Sequence, residues 1–150
     1  MAQQTRSLPG WLKPANRLVR GLQRLGLPLG TIRVLTVPGR TSGVPRPTPV
    51  SPLRVDGREF VIAALPQADW ARNARAAGHG ELRHRRSVRP VALHEVLDPD
   101  LRREVVRAFP REVPHGVGFF VRIGLVDGPD PEQFAAIADR VAVFEISGRA

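Results

Sequence analysis

The chain has 150 residues, a mass of 16.5 kDa and 42% hydrophobic residues, which together indicate a folded globular protein rather than a disordered one. It contains no cysteine, so disulfides, thiol catalysis and zinc–thiolate sites are excluded. Because no apolar run is long enough to span a bilayer and the N-terminal residues do not resemble a signal peptide, we expect a cytoplasmic protein.

The formal net charge of +9 is confined to the first half of the chain. Residues 1–75 hold 12 Lys and Arg against 3 Asp and Glu, whereas residues 76–150 hold 11 of each kind. A uniformly basic chain would point to nucleic acid or to a general surface charge. The uneven distribution instead predicts a local anionic partner, which is a phosphorylated ligand, a membrane face or RNA.

The N-terminal region is predicted to be a loose segment followed by a helix. Residues 1–10 are polar and expected to be flexible, and residues 11–150 are expected to form a single domain. From Trp11 to Leu27 apolar residues recur at helical spacing, and the regular part is expected to begin near Pro14. We expect this helix to pack across a sheet. The alternative is a basic amphipathic helix on the inner face of the membrane, which would be a peripheral contact.

Three β-like runs follow, at Thr31–Val37, Thr48–Val55 and Arg58–Leu65. Pro49 and Pro52 interrupt the second run, which predicts an edge strand or a bulge. Asp56-Gly57 is a hairpin turn signal between the second and third runs. The unbroken apolar stretch Phe60–Leu65 predicts a strand that is buried on both faces.

The rest of the chain alternates between helix and strand signals. Asp69 is expected to cap a short helix, Trp70–Ala77, which Gly78 ends. The later elements are a hairpin of Glu81–Arg86 and Pro90–Leu97, a helix from Asp98 to about Phe109, a strand at Phe119–Val126, a helix from the capping box at Asp130 to about Asp139, and a strand at Val141–Ser147. About seven strands and four short helices predict an α+β, mainly β fold: an antiparallel barrel with helices on its outside.

The stretch from Gly39 to Arg46 (GRTSGVPR) combines two glycines, two hydroxyls and two guanidinium groups. Prolines within and beside it restrict the backbone, so little conformational entropy would be lost on binding. Hydroxyl and guanidinium groups donate hydrogen bonds to phosphate, which favours an anion-binding loop. An ordinary hairpin turn uses the same residue types and is an equally good interpretation of the composition.

Several common catalytic sites are missing from the sequence. There is no G-x-G-x-x-G after a strand, no lysine of a phosphate-binding loop after Gly43, and no G-x-S-x-G. His84 and His94 would face each other across the second hairpin if its turn were centred near Arg89, but no third ligand accompanies them, so we predict no metal site. An enzymatic function would therefore require a cofactor with its own reactivity.

Trp70 and Asn73 are three residues apart on the predicted short helix and therefore share one face. They would flank a planar ligand, or Trp70 would anchor the helix to the barrel. Arg72 and Arg75 lie in the same region, where they would either add positive potential or be solvated.

Taken together, these residues resemble the deazaflavin-dependent nitroreductase family, whose members bind coenzyme F420 on a split β-barrel of the FMN-binding type. The matching segments are Trp11–Arg17, Val34–Gly43, Pro45–Val50, Asp56-Gly57, Trp70–Gly78 and Val143–Ile146. The resemblance covers residues 11–97 fairly continuously and residues 98–140 only in outline. The element G-R-x-S-G-x-P-R followed by W-x-x-N is specific in combination.

The resemblance implies roles for particular residues. Those that would cradle the phosphate and acidic tail of the coenzyme are Arg40, Thr41, Ser42, Gly43 and Arg46. Those that would line the deazaflavin ring are Pro49, Val50, Ala63 and Ala64, while Trp70 and Asn73 would close the pocket. No catalytic residue is assigned, although Ser51 and His115 are candidate proton donors. FMN is the alternative cofactor.

The implied function is an F420H2-dependent oxidoreductase, of the nitroreductase or quinone reductase type, that transfers hydride to a small quinone, enone or nitro-type acceptor. The chain has no tyrosine, whereas relatives that reduce nitroimidazoles use tyrosines near the acceptor, which favours a quinone or enone. A non-catalytic carrier of a deazaflavin, flavin or haem-type ligand is an alternative. A basic module for RNA or a membrane surface is a further alternative, although the aromatic content of 5% argues against nucleic acid. Both a monomer and a homodimer are compatible with the sequence.

Overall fold

The computed structural model of the protein describes residues 32–148. The predicted flexible segment 1–10 and the predicted helix 11–27 lie outside the described residues. The strands are β1 (Arg33–Pro38), β2 (Pro45–Val50), β3 (Leu53–Val55), β4 (Arg58–Ala63), β5 (His79–His84), β6 (Ser87–Glu95) and β7 (Ala142–Gly148). The helices are α1 (Asp69–Ala77), α2 (Pro99–Glu112), α3 (Val117–Arg122) and α4 (Pro131–Ala136), with 3₁₀ turns at Pro114–Gly116 and Ala138–Arg140.

The seven strands form one antiparallel sheet in the order β2-β1-β5-β6-β7-β4-β3. This curled, mainly β architecture confirms the predicted fold class. The predicted run Thr48–Val55 divides at Ser51-Pro52, and its two parts, β2 and β3, lie at opposite edges of the sheet. An edge position was expected from its prolines, because proline cannot donate a ladder hydrogen bond.

The sheet separates two hydrophobic cores. On one face, Phe60 and Val143 pack with α2, α3 and α4 around a cluster of three phenylalanine rings. The rings of Phe109, Phe120 and Phe134 have centroids between 4.9 and 5.6 Å apart. On the other face, Val61 and Phe144 pack with α1. Residues of β4 therefore alternate between two buried faces, as the apolar run Phe60–Leu65 predicted. The strand ends at Ala63, and Leu65, which lies beyond it, is half exposed.

The helix signals in the sequence are confirmed in part. Asp98 caps α2 by accepting a hydrogen bond from the Leu101 amide, and Asp130 caps α4 through the Glu132 amide. Gly78 ends α1 in the left-handed conformation at φ 71°. The prediction that Asp69 caps α1 is wrong: Ala68 precedes the helix, and Asp69 is its first residue.

The predicted strand at Phe119–Val126 is also wrong. The chain forms α3 at Val117–Arg122 and then turns at Gly124, whose φ is 80°. Val117 and Phe120, three residues apart, are both buried in the phenylalanine core, and this spacing fits a helix and not a strand. Tertiary packing thus overrides the β preference of this stretch.

The second hairpin differs from its predicted register. Its turn is at Arg85-Arg86, so His84 pairs with Ser87, while His94 pairs with Glu145 on β7. The expected facing of His84 and His94 is therefore wrong. The observed connection of two residues is shorter than the predicted one, and this difference shifts every cross-strand pair of the hairpin.

Candidate functional site

The loop between β1 and β2 is a compact turn. The amide of Gly39 donates to the carbonyl of Val44 and the amide of Gly43 donates to the carbonyl of Gly39, both at 2.9 Å. The Ser42 hydroxyl accepts from the Val44 amide at 3.1 Å. A Cβ on Gly39 would lie in tight contact with that hydroxyl, at 3.0 Å, and Gly43 has φ 71°, so the turn favours glycine at both positions.

Helix α1 holds this loop through Arg40. The Asn73 side-chain oxygen accepts from the Arg40 backbone amide at 3.0 Å and from its guanidinium at 2.9 Å. A second guanidinium nitrogen pairs with Asp69 at 3.2 Å. Asn73 is only 4% exposed, so its amide serves the loop rather than a solvent-facing contact. Asp69, expected as a helix cap, instead forms this ion pair.

A basic cavity of about 400 Å³ lies between the loop and α1. Its lining residues are Gly39, Arg40, Thr41, Ser42, Arg46, Thr48, Asp69, Trp70 and Asn73. The Arg46 side chain is exposed and forms no hydrogen bond or ion pair with any residue in 32–148, in contrast to Arg40. The cavity therefore offers one uncommitted guanidinium together with the hydroxyls of Thr41, Ser42 and Thr48.

An apolar cavity of about 340 Å³ lies beside it. Its lining residues are Pro49, Val50, Ser51, Ile62, Ala63, Ala64, Leu65, Ala68, Trp70, Phe109, Gly116, Phe119 and Phe120. Small side chains at Ala63 and Ala64 leave room for a flat group against the backbone. Leu65 and Phe119 are 50% and 44% exposed, which places apolar surface at the edge of the cavity.

Trp70 is a wall of both cavities. Its ring also contacts Phe144 of the core, with centroids 5.9 Å apart and an angle of 49° between the planes. Trp70 therefore anchors α1, as one interpretation predicted, and it also lines a ligand-sized space. That it flanks a planar ligand stays a prediction. Trp70 lies between the basic cavity and the apolar cavity, and β2 contributes residues to each of them.

Ser51 and His115 are brought together from positions 64 residues apart. Ser51 Oγ and His115 Nε2 are 3.1 Å from each other, within hydrogen-bond distance. Ser51 lines the apolar cavity, and Gly116, the neighbour of His115, lines it as well. Both residues were candidate proton donors on the sequence alone, but nothing in the sequence predicted their contact.

The arginines of α1 differ in their environments. Arg75 forms a double hydrogen bond with the carboxylate of Glu95 on β6, with a shortest distance of 2.7 Å, and this bond raises the pKa of Arg75. Its charge is therefore largely neutralised rather than directed into the basic cavity. Arg72 is exposed and lines neither cavity.

The sequence prediction missed several lining residues. Thr48 belongs to the basic cavity, and its alternation with Arg46 along β2 was the available signal. Phe109, Phe119 and Phe120 come from α2 and α3, where the family resemblance held only in outline. Their contribution depends on the packing of those helices, which no local pattern specified.

Comparison with known proteins assigns the family. The family model described as F420H(2)-dependent quinone reductase matches residues 15–116, about two thirds of the chain. The chain belongs to this family. Its members use reduced coenzyme F420 as the hydride donor, which confirms the resemblance deduced from the sequence. No curated protein matches the chain.

Solved structures are similar to this chain in fold. An F420-H2 dependent reductase (FDR-A) shares 16% identity at a TM-score of 0.53, with 78% of this chain and 94% of that chain covered. A protein described as a domain-swapped dimer shares 16% identity at 0.54, with coverage of 89% and 99%. A Clostridium acetobutylicum protein related to general stress protein 26, of the pyridoxinephosphate oxidase family, shares 12% at 0.51, with coverage of 92% and 83%. At these identities the likeness concerns the fold.

The two cavities fit the coenzyme that the family uses. An uncommitted Arg46 and three hydroxyls suit the anionic tail, and the apolar cavity beside them suits a flat ring system.

Among residues 32–148, no helix is long and apolar enough to cross a membrane.

Proposed function

We propose that this member of the family binds reduced F420 across both cavities and transfers hydride to a small apolar acceptor, a quinone or an enone. The observation that carries the proposal is the shared wall at Trp70, which joins a basic cavity to an apolar one of similar size. A ligand with an anionic tail and a flat apolar head meets complementary chemistry at both ends.

The loop residues bind the tail in this proposal. Arg46 supplies the charge-assisted hydrogen bonds, and the hydroxyls of Thr41 and Ser42 add neutral ones. Gly43 allows the turn that exposes these donors. Arg40 lines the same cavity, but because Asn73 and Asp69 hold its guanidinium, its main contribution is to fix the shape of the loop.

The apolar cavity binds the ring. Pro49 and Val50 on β2 face it from one side, and Ala63 and Ala64 at the end of β4 leave space on the other. When bound, the reduced coenzyme supplies the hydride. The residues of this chain orient the ring and exclude water, and these effects of positioning account for a large part of catalysis in such reactions.

The acceptor would occupy the open side of the apolar cavity. Leu65 and Phe119 expose apolar surface there, which favours an apolar, conjugated molecule over a charged one. A quinone meets this requirement and is the acceptor named in the family description. An enone has the same chemistry, because its carbonyl group is conjugated to an electron-poor carbon–carbon double bond.

The first experiment is a titration of the protein with oxidised F420, followed by quenching of tryptophan fluorescence and by calorimetry. We expect saturable binding, because Trp70 lines both cavities. FMN serves as the competitor, and weaker binding of FMN is expected because its single short phosphate would engage fewer of the loop donors. Absence of saturable F420 binding would refute the proposal.

The second experiment separates an enzyme from a carrier. Protein with reduced F420 is mixed with a panel of quinones, enones and nitro compounds, and the return of the oxidised coenzyme is followed by absorbance. Oxidation that depends on the protein and on a quinone or enone supports the proposal. Binding without oxidation of the coenzyme by any acceptor would instead support a carrier.

A further inference from the structure

We propose that Ser51 and His115 form a proton-delivery pair for the acceptor, with Ser51 as the catalytic residue and His115 as the positioning residue that acts through it. The inference rests on the proposed function, because it concerns the molecule that receives the hydride. It starts from the 3.1 Å distance between Ser51 Oγ and His115 Nε2 at the edge of the apolar cavity.

The reduction of a quinone requires a proton as well as a hydride. The hydride supplied by the bound coenzyme would bring two electrons to the quinone, and the product of its addition would be a hydroquinone monoanion. That oxyanion must take a proton to become the hydroquinone. A positioned general acid accelerates such a step by about 10²- to 10⁴-fold over solvent.

The apolar cavity contains few groups that could supply this proton. Among the thirteen described residues that line it, Ser51 has the only hydroxyl, and none has an acidic, basic or thiol side chain. The remaining polar group is the indole N–H of Trp70, which does not act as an acid near neutral pH. Proton delivery through the lining residues therefore has to pass through Ser51.

A serine hydroxyl is a weak acid by itself, and His115 compensates for this. An imidazole that is hydrogen-bonded to a hydroxyl replaces the proton as the hydroxyl gives it up, so no free alkoxide is formed. His115 is exposed to solvent, whereas Ser51 is partly buried. The proton thus moves from Ser51 Oγ to the acceptor oxygen, from His115 Nε2 to Ser51 Oγ, and from water to His115.

The fold holds this pair in place from two sides. Ser51 follows β2 at the point where Pro52 breaks the strand, which directs the chain towards β3. His115 lies in the 3₁₀ turn between α2 and α3. Next to it, Gly116 has no room for a side chain, because an added Cβ would approach the ring of Phe109 to 2.7 Å. The contact is therefore fixed by the packing of the turn against the phenylalanine core.

The test uses the full chain with four variants: Ser51→Ala, Ser51→Thr, His115→Asn and the double variant Ser51→Ala/His115→Asn. His94→Asn is the matched control, because His94 is also an exposed histidine but lines neither cavity. Thermal unfolding checks that each variant folds. Fluorescence titration checks that the affinities for F420 and for the quinone stay within about threefold of the wild type.

Rapid mixing of the protein–F420H2 complex with quinone in H₂O and D₂O provides the kinetic readout. We expect Ser51→Ala and His115→Asn to slow quinone reduction by about 10²-fold or more and to reduce the solvent isotope effect. The double variant should be no slower than either single variant, because the two residues act as one unit. Ser51→Thr, which keeps a hydroxyl, should retain most of the rate.

A second readout does not depend on turnover. In protein with ¹⁵N-labelled histidine and no coenzyme, the His115 Nε2 resonance should shift in Ser51→Ala but not in Ser51→Thr or His94→Asn. An unchanged His115 resonance in Ser51→Ala overturns the inference, as does a wild-type reduction rate in Ser51→Ala with normal binding of both ligands. Failure of the wild type to bind F420 overturns the proposed function and this inference with it.

Discussion

The basic cavity and the apolar cavity have similar volumes, about 400 and 340 Å³, but they are assembled in different ways. The basic cavity comes from one turn, one strand and the start of α1, and its central residue Arg40 is fixed by Asn73 and Asp69. The apolar cavity draws on β2, β4, α1, α2, α3 and the segments between them. One is a local motif, whereas the other depends on how the whole chain packs.

The difference between the two cavities corresponds to a difference between their proposed ligands. The coenzyme is shared by the family, whereas the acceptor is particular to one protein. In the proposed binding mode, the tail of the coenzyme would be bound by donors that a short stretch of sequence can specify. The proposed acceptor side would be bounded by Phe119, Leu65 and the Ser51–His115 pair, which come from separate parts of the chain. Substitutions in the two cavities should therefore have separable effects on tail binding and ring binding.

The largest effect is expected from filling the apolar cavity. Ala64→Phe would place a ring in the space proposed for the deazaflavin, and we expect F420 affinity to fall by about 100-fold or more, equivalent to about 3 kcal/mol. Calorimetric titration measures this loss, and weak binding of inorganic phosphate to the basic cavity should be unchanged. Val121→Phe on α3, at an exposed position outside both cavities, is the control. Equal loss of phosphate binding in Ala64→Phe would contradict the separation.

The next effect concerns the uncommitted guanidinium of the basic cavity. Arg46→Ala should lower F420 affinity by about 10- to 100-fold, because a charge-assisted hydrogen bond contributes about 1.5–3 kcal/mol. The salt dependence of binding should also weaken. Arg54→Ala on β3, another exposed arginine that lines neither cavity, should bind like the wild type. If the two alanine variants lose affinity equally, the effect is one of net charge and not of position.

A smaller effect on binding, with a cost in stability, is expected at Asn73. Asn73→Ala removes the acceptor for two donors of Arg40 and should lower the free energy of unfolding by about 1–3 kcal/mol. Urea unfolding measures this change, and F420 affinity should fall severalfold because the loop loses its attachment to α1. Asn73→Asp keeps an oxygen acceptor and should lose less. Unchanged stability in Asn73→Ala would show that the contact does not hold the loop.

The smallest effect concerns pH and lies outside both cavities. His84 Nε2 is buried and has no hydrogen-bond partner among residues 32–148, and burial, together with the charges of Arg33 and Arg85, lowers the pKa of His84. The unfolded chain then takes up a proton near its ordinary value of about 6.5 while the folded chain does not, so stability is full above this pH and falls as the pH decreases. His84→Gln should flatten this dependence in urea unfolding between pH 7.5 and 5 without changing phosphate binding at pH 7.5. An equally steep dependence in the variant would exclude His84 as its source.

Local chemistry made much of the basic cavity predictable. The glycines and donors of residues 39–46 indicated a turn with anion-binding capacity, and the spacing of Trp70 and Asn73 placed both on one helix face. The same reasoning misjudged Asp69, because an acidic residue at a helix start is equally suited to a cap and to an ion pair. Which of these it forms depends on Arg40, 29 residues earlier.

The apolar cavity was less predictable for a physical reason. The β-branched and aromatic residues between Phe119 and Val126 have the local preference of a strand, yet the packing of Phe120 against Phe109 and Phe134 stabilises a helix there. The contact between Ser51 and His115 likewise requires the turn after α2 to lie against the end of β2. Such contacts arise from the tertiary arrangement, and no single segment encodes them.

The prolines of β2 have a consequence for how the protein meets other chains. Pro45, Pro47 and Pro49 alternate along an edge strand, so the ladder with β1 must use the amides of the residues between them, and the outer side offers no N–H at all. A strand added there would meet carbonyl acceptors but no amide donors, which disfavours growth of the sheet past β2 into an aggregate. The strand that lines both cavities is thus a poor partner for a further strand, while its side chains stay accessible to a small molecule.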